Sequence, residues 1–220
     1  MASIYELAEV PQALRDGTWQ AEFFKELPTA QLQILNETPV TGPDGWPYLL
    51  ANFERMAKDP FAKVASWLST RGIGLVINPK NEMPDAILTY GMIWNYGQTG
   101  RIFTVEGDFD EANQAAPLPA TFEVHEGQTA HTGAPTEEYL PKYVREILRT
   151  FFHDNGVSTP RVLVMSTDRK NYDLCFSLEA LGNPDSSEHQ GILEALSWFL
   201  PAHYSLALMS EVGLPKFSTL

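Results

Sequence analysis

The 220-residue chain has one cysteine, Cys175, so no disulfide can close within it. No window holds the ~18 consecutive apolar residues of a membrane-spanning helix. The N-terminus lacks the basic stretch followed by an apolar one that marks a secretory leader, and the terminal Lys-Phe-Ser-Thr-Leu is no lipidation box. Basic residues are scarce: 15 Lys and Arg stand against 28 Asp and Glu, a net charge of −13. The excess is even, 8 against 14 in residues 1–110 and 7 against 14 in residues 111–220. A negative field of this kind repels phosphate backbones. The densest basic pair, Arg169-Lys170, falls in a turn. These absences exclude membrane spans and argue against nucleic-acid partners. They leave a cytoplasmic protein with a solvated acidic surface as the expectation.

Nucleotide-binding and catalytic signatures are missing too. There is no Gly-rich phosphate loop, and Gly72-Ile73-Gly74 runs into a strand where the dinucleotide fingerprint requires a helix. The five histidines, His125, His131, His153, His189 and His203, show no metal-ligand spacing, so neither metal nor cofactor is expected. Ser177 and Ser205 lie in strands without the glycines of a nucleophile elbow. Cys175 lies on the less apolar face of a strand and reads as structural. No catalytic residue is assigned, and the reading leans away from an enzyme.

What the chain does have is 44% apolar residues, enough for a core, and alternating helical and strand patterns. Ser3 caps a short helix that Pro11 interrupts, and Thr18 opens another with Trp19, Phe23, Phe24 and Leu27 as its stripe. Residues 31–36 and 48–53 read as strands on either side of a turn at 41–45. Asp59 and Pro60 open a helix with Phe61, Val64, Ala65 and Leu68 inward, closed by Gly72. Residues 74–79 read as a strand stopped by Asn-Pro. Residues 86–96 are almost wholly apolar and read as a strand or bent hairpin, with a helix second. Residues 101–105 read as a strand.

Residues 106–120 are acidic, then rich in Ala and Pro, and form a linker. Residues 121–125 read as a strand and 127–135 as a loop. A helix follows with Leu140, Val144, Ile147, Leu148, Phe151 and Phe152 on one face. Residues 161–167 make a strand apolar on both sides, and 168–171 a hairpin loop. Residues 172–179 then alternate as a half-buried strand. Ser186 or Ser187 caps the last helix, Pro201 stops it, and residues 204–209 make the last strand.

The order of features from Glu123 to Glu179 resembles the C-terminal region of the SseB (enhanced serine sensitivity) family. It rests on Val124-His125-Glu126-Gly127-Gln128, Gly133-Ala134-Pro135, Leu140-Pro141, Leu148, Phe151 and Phe152, then Val162 to Met165 and Leu174 to Glu179. Phe23-Phe24 to Leu35, Asp44-Gly45 through Phe53, and Leu75-Val76-Ile77-Asn78-Pro79 extend it, so that it spans about residues 20–211. The helix–hairpin–helix–strand order also resembles the YbjN group, whose fold is like that of type III secretion chaperones. Both resemblances imply a cytosolic accessory protein that binds other proteins, and neither supplies catalytic residues.

The expected fold is therefore α+β, with mainly antiparallel sheets, helices packed on one face and two related subdomains. The expected halves are residues 1–105 and 121–220. The expected function is non-catalytic protein–protein binding, as an SseB-like or chaperone-like adaptor with a protein partner; a homodimer is left open. The candidate binding residues are Trp46, Tyr48, Trp94 and Tyr96, since Trp and Tyr are enriched in interface hot spots. If these four line a pocket between the halves, the chain is instead a small-molecule enzyme or sensor. A third reading is an acidic immunity or antitoxin protein opposing a basic toxin.

Overall fold

Ser3 opens the first helix with a full capping box: its Oγ accepts from the Glu6 amide, and the Glu6 carboxylate accepts from the Ser3 amide at 2.7 Å. This is the start of a computed structural model that describes residues 2–79, 83–103, 120–125 and 128–220. The chain falls into two units, residues 1–103 and 104–220. The 106–120 linker lies outside the described residues, apart from Ala120.

In the first unit, α1 (Ile4–Ala8) and α2 (Gly17–Glu26) precede the strands. Asp16, rather than Thr18, caps α2, accepting from the Trp19 amide at 2.9 Å. The strands are β1 (Gln31–Ile34), β2 (Val40–Thr41), β3 (Pro47–Phe53), β4 (Asp59–Pro60), β5 (Gly74–Ile77) and β6 (Ala86–Leu88). Their order is β4-β1-β3-β5-β6, with β2 also on β3. β1 and β3 are antiparallel, β3 and β5 parallel, β5 and β6 antiparallel. The crossover from β3 to β5 runs through α3 (Phe61–Ser69), as parallel strands require. One sheet face, with Leu32, Leu49, Ala51, Leu75, Ile77 and Leu88, packs on Ile4 and Leu7 of α1, Phe23 of α2, and Phe61, Val64, Ala65 and Leu68 of α3.

Three sequence expectations change here. Asp59 does not cap α3. Pro60 occupies the cap position without a side-chain bond, and Asp59 is drawn into β4 beside Leu32 of β1. Residues 86–96 form neither one strand nor a bent hairpin, and the second reading, a helix, holds from Tyr90. β6 ends at Leu88, Thr89 caps the amide of Met92, and α4 (Tyr90–Thr99) follows, closed by Gly100 in the left-handed region. Gly91 does not prevent this, because the capping threonine and the left-handed glycine supply clear boundaries. Residues 101–103 form no strand.

In the second unit, β7 (Ala120–His125) and β8 (Gln128–Gly133) pair antiparallel, so most of the expected 127–135 loop is a strand. Its small polar residues pair on the other side with β9 (Arg161–Ser166), and this two-sided ladder overrides their weak strand preference. α5 (Lys142–Asp154) leads to β9, which turns back into β10 (Asp173–Ser177). α6 (His189–Phe199) then crosses to β11 (Ser205–Met209), parallel to β10. Glu188 precedes α6 as its cap residue, in place of Ser186 or Ser187. β12 (Ser218–Thr219) pairs with β9. The sheet order is β11-β10-β9-β8-β7.

Val162 and Val164 pair with Phe176 and Leu174 on the face where Phe152 of α5 meets Phe176 at 5.8 Å. Leu163 and Cys175 face the other way, against Phe217, Met165, Ala207, Met209 and Leu214. The apolar run in β9 is thus covered on both faces. The fold is α+β with two mostly antiparallel sheets. Both units contain the order helix, strand, antiparallel strand, helix, parallel strand: α2-β1-β3-α3-β5 and α5-β9-β10-α6-β11.

Candidate functional site: an apolar cleft beside Trp67

The four aromatic residues singled out by sequence are mostly withdrawn from the surface. Tyr48 is 3% exposed and Trp94 2%. Tyr48 lies over Gly74 of β5, and its hydroxyl donates to Asp44 Oδ2 at 2.6 Å. Tyr96 packs edge-on against Phe61, ring centroids 5.0 Å apart. Trp46 is half-buried, immediately before β3. Trp94 and Tyr96 would share a face in a strand. In α4 they stand ~200° apart around the axis, so Tyr96 joins the core cluster and Trp94 does not.

The exposed tryptophan is Trp67, 42% accessible on α3. Val64, Ala65 and Leu68 hold this helix against the sheet. Trp67 stands three positions beyond Val64, on the flank of the buried stripe. Arg71 fixes one side of the indole: its guanidinium lies 4.1 Å from the ring centroid, and Nη1 donates to the Trp67 carbonyl at 2.7 Å. Beside Trp67 a cleft of about 300 Å³ opens between α3 and the end of β1. Ile34, Leu49, Val64 and Trp67 supply its apolar walls, and Asn36, Glu37, Asp59 and Lys63 its rim. Asn36 is held in place, its Oδ1 accepting from the Leu50 amide at 2.8 Å. Lys63 and Asp59 close an ion pair of 2.8 Å on the rim, the lysine largely in water and the aspartate partly covered. An apolar pit with a charged, hydrated rim can take an aliphatic or aromatic group and orient what is attached to it.

A second cleft in the same unit, about 460 Å³, is polar. Asn52, Arg55, Asn78 and Asp85 contribute to it. Asp85 has a fully buried side chain and pairs with Arg15 at 2.8 Å. Arg15 also donates to the carbonyls of Val10 and Ala8, both at 2.9 Å, and lies 4.5 Å from the Trp19 ring centroid. Asn78, with φ of 52°, donates to Asp85 and accepts from the Phe53 amide at 3.0 Å. Neither Arg15 nor Asp85 carried a sequence signal, because a pair 70 positions apart leaves no local pattern.

Cys175 is fully buried, and burial pushes its thiol up to about 12, so it stays protonated at neutral pH. His131 Nδ1 lies 3.2 Å from Arg169, and His189 Nε2 lies 3.1 Å from the Pro184 carbonyl. His125 has no described side chain. Among the described residues no three His, Cys, Asp or Glu converge as metal ligands. No helix of the described residues is long and apolar enough to cross a membrane. Trp67 could have been found from sequence only as an aromatic residue one step off the α3 stripe. Comparison with family models, curated proteins and solved structures gave no match.

Proposed function

We propose that this chain is a non-catalytic accessory protein that acts by protein–protein binding, and that the cleft beside Trp67 receives an apolar side chain of its partner. The observation that carries this reading is the cleft itself, a built apolar site whose one exposed wall is a braced tryptophan. Tryptophan in such settings dominates binding energy, and a surrounding polar rim keeps water out of the contact. The net charge of −13 favours a partner with basic residues around its apolar anchor, since complementary charge speeds and orients encounter. The resemblance of residues 20–211 to SseB proteins points the same way. The buried free thiol of Cys175 fits a reducing compartment, and cytoplasmic action is part of the proposal.

The test is a partner recovered on the immobilised chain, then purified and titrated against it. Trp67→Ala is expected to weaken binding ~30-fold, the effect of removing a hot-spot tryptophan worth about 2 kcal/mol. Equal affinity for both forms excludes the Trp67 cleft, and metabolite turnover by a monomer without a partner excludes the function. A second reading, a small-molecule sensor, is favoured by the polar groups converging at Asn52, Arg55, Asn78 and Asp85. A small ligand bound by the chain and lost in Arg55→Ala, with Trp67→Ala unaffected, would select it.

A further inference from the structure

In the first unit the parallel pair β3–β5 is continued by an antiparallel strand, β6, on the far side of β5. β5 is buried along its whole length. In the second unit the corresponding strand is β11, parallel to β10, and among the described residues nothing pairs with its far side. Ser205 is exposed, and Leu206 to Met209 are only partly buried.

The backbone groups on that edge can be identified. The Met209 carbonyl accepts from the Leu178 amide at 2.9 Å, so Met209 turns its polar backbone toward β10. Alternation along a strand gives Ala207 and Ser205 the same direction and turns the amides and carbonyls of Leu206 and Leu208 outward. No hydrogen bond reaches these groups among the described residues. An open edge normally carries a lysine, a proline or a bulge that discourages pairing. Ser-Leu-Ala-Leu-Met has none, and its register with β10 is regular over all five residues.

We propose that β11 pairs antiparallel with β11 of a second copy of this chain, across a two-fold axis at Ala207, so that the two sheets become one. A two-fold interface needs a surface complementary to itself, and Leu206-Ala207-Leu208 reads the same in both directions. Each outward leucine then exchanges both backbone hydrogen bonds with the other leucine of the second copy. The two alanines meet at the axis as a non-hydrogen-bonded pair, where Cα atoms approach to ~4.5 Å and a small side chain fits. Within the strand no charged residue meets another. The structure thus supplies the geometry of an antiparallel partner, as β6 is to β5, and this chain's own sequence supplies the match. The proposal involves the other unit from the Trp67 cleft and does not depend on it.

The intact protein is tested by light scattering from about 100 μM to about 1 μM, a span covering weak to moderate self-association, with hydrogen exchange followed at single amides. The expected result is a species of twice 24.6 kDa that dissociates on dilution. The Leu206 and Leu208 amides should exchange at least ~10-fold more slowly in the dimer than in the monomer, with Ala207 protected in both. Leu206→Pro removes an outward amide without touching the ladder to β10 and should give a monomer. Leu206→Ala keeps the amide and should still dimerise. Should Leu206→Pro fail to fold, the dilution series on the unaltered chain decides alone. A monomer throughout the range overturns the proposal. So does a dimer in which both leucine amides exchange freely, or equal protection of both in a monomer.

Discussion

Arg15 and Asp85 stand 70 positions apart and form a buried ion pair in the first unit, with side chains 11% and 0% exposed. Removing one partner of such a pair leaves the other charge buried without its counter-charge. Arg15→Ala is expected to destabilise the protein by about 3 kcal/mol in urea denaturation, with a further loss from Trp19, whose ring Arg15 covers. A change under about 0.5 kcal/mol, the range of ordinary surface substitutions, would contradict the described burial. His203 makes a different kind of prediction. Burial lowers its imidazole from 6.5 to about 4. Above pH 6.5 it is neutral whether the chain is folded or unfolded. As pH falls from 6.5 toward 4, the unfolded chain takes up a proton that the folded chain refuses, so stability declines in that window. His203→Gln should flatten stability there, as measured by denaturant midpoints at successive pH values. Glu179 acts lower: hydrogen bonds from Ser210 and from the Glu211 amide depress its carboxyl, so its contribution holds above 4.5 and is lost as pH falls through the lowered value. An acid limb unchanged by the histidine substitution would contradict the first assignment.

Gly74 shows what a strand pattern cannot say. Its place in an apolar strand is readable, but its lack of a side chain matters because Tyr48 of β3 lies over it and the Leu88 carbonyl stands close by. A Cβ there would meet the Tyr48 ring at 2.5 Å and the Leu88 carbonyl at 2.8 Å. Gly74→Ala should therefore cost about 1–3 kcal/mol, as overpacking does. Combined with Tyr48→Leu the loss should fall short of the sum of the two single effects, because they share one contact. Strict additivity in thermal or urea unfolding would argue against that contact. The helix at α3 and the strand β10 were legible because an apolar stripe and an alternation each allow one reading. α4 was not: a short, nearly continuous apolar run carries no period, and its cap Thr89 and end Gly100 decide it instead. β8 was missed for the opposite reason, since its polar residues are strand only through pairing with β7 and β9. The candidate aromatic residues suffered from the same gap. Once residues 90–99 form a helix, Trp94 and Tyr96 point to different surroundings, and the exposed tryptophan is on α3.

The two units share an order of five elements, with β2 and β4 interspersed in the first, and among the described residues each sheet has one parallel pair. They differ beyond that pair, where β5 has β6 and, among the described residues, nothing pairs with the far side of β11. The acidity that was plain in the sequence acts on the assembly as well. With −13 on each copy, like-charge repulsion opposes the β11 dimer, so salt should strengthen the dimer while weakening a basic partner's attraction to the same chain. The α+β class was legible because it follows from periodicity. The Trp67 cleft was not, because it is made by residues of β1, β3 and α3 that only the fold brings together. Protein binding through that cleft is decided by titrating the purified partner against the intact chain and its Trp67→Ala variant. Affinity should drop ~30-fold with the fold unchanged by circular dichroism; equal affinity for the two forms would contradict it.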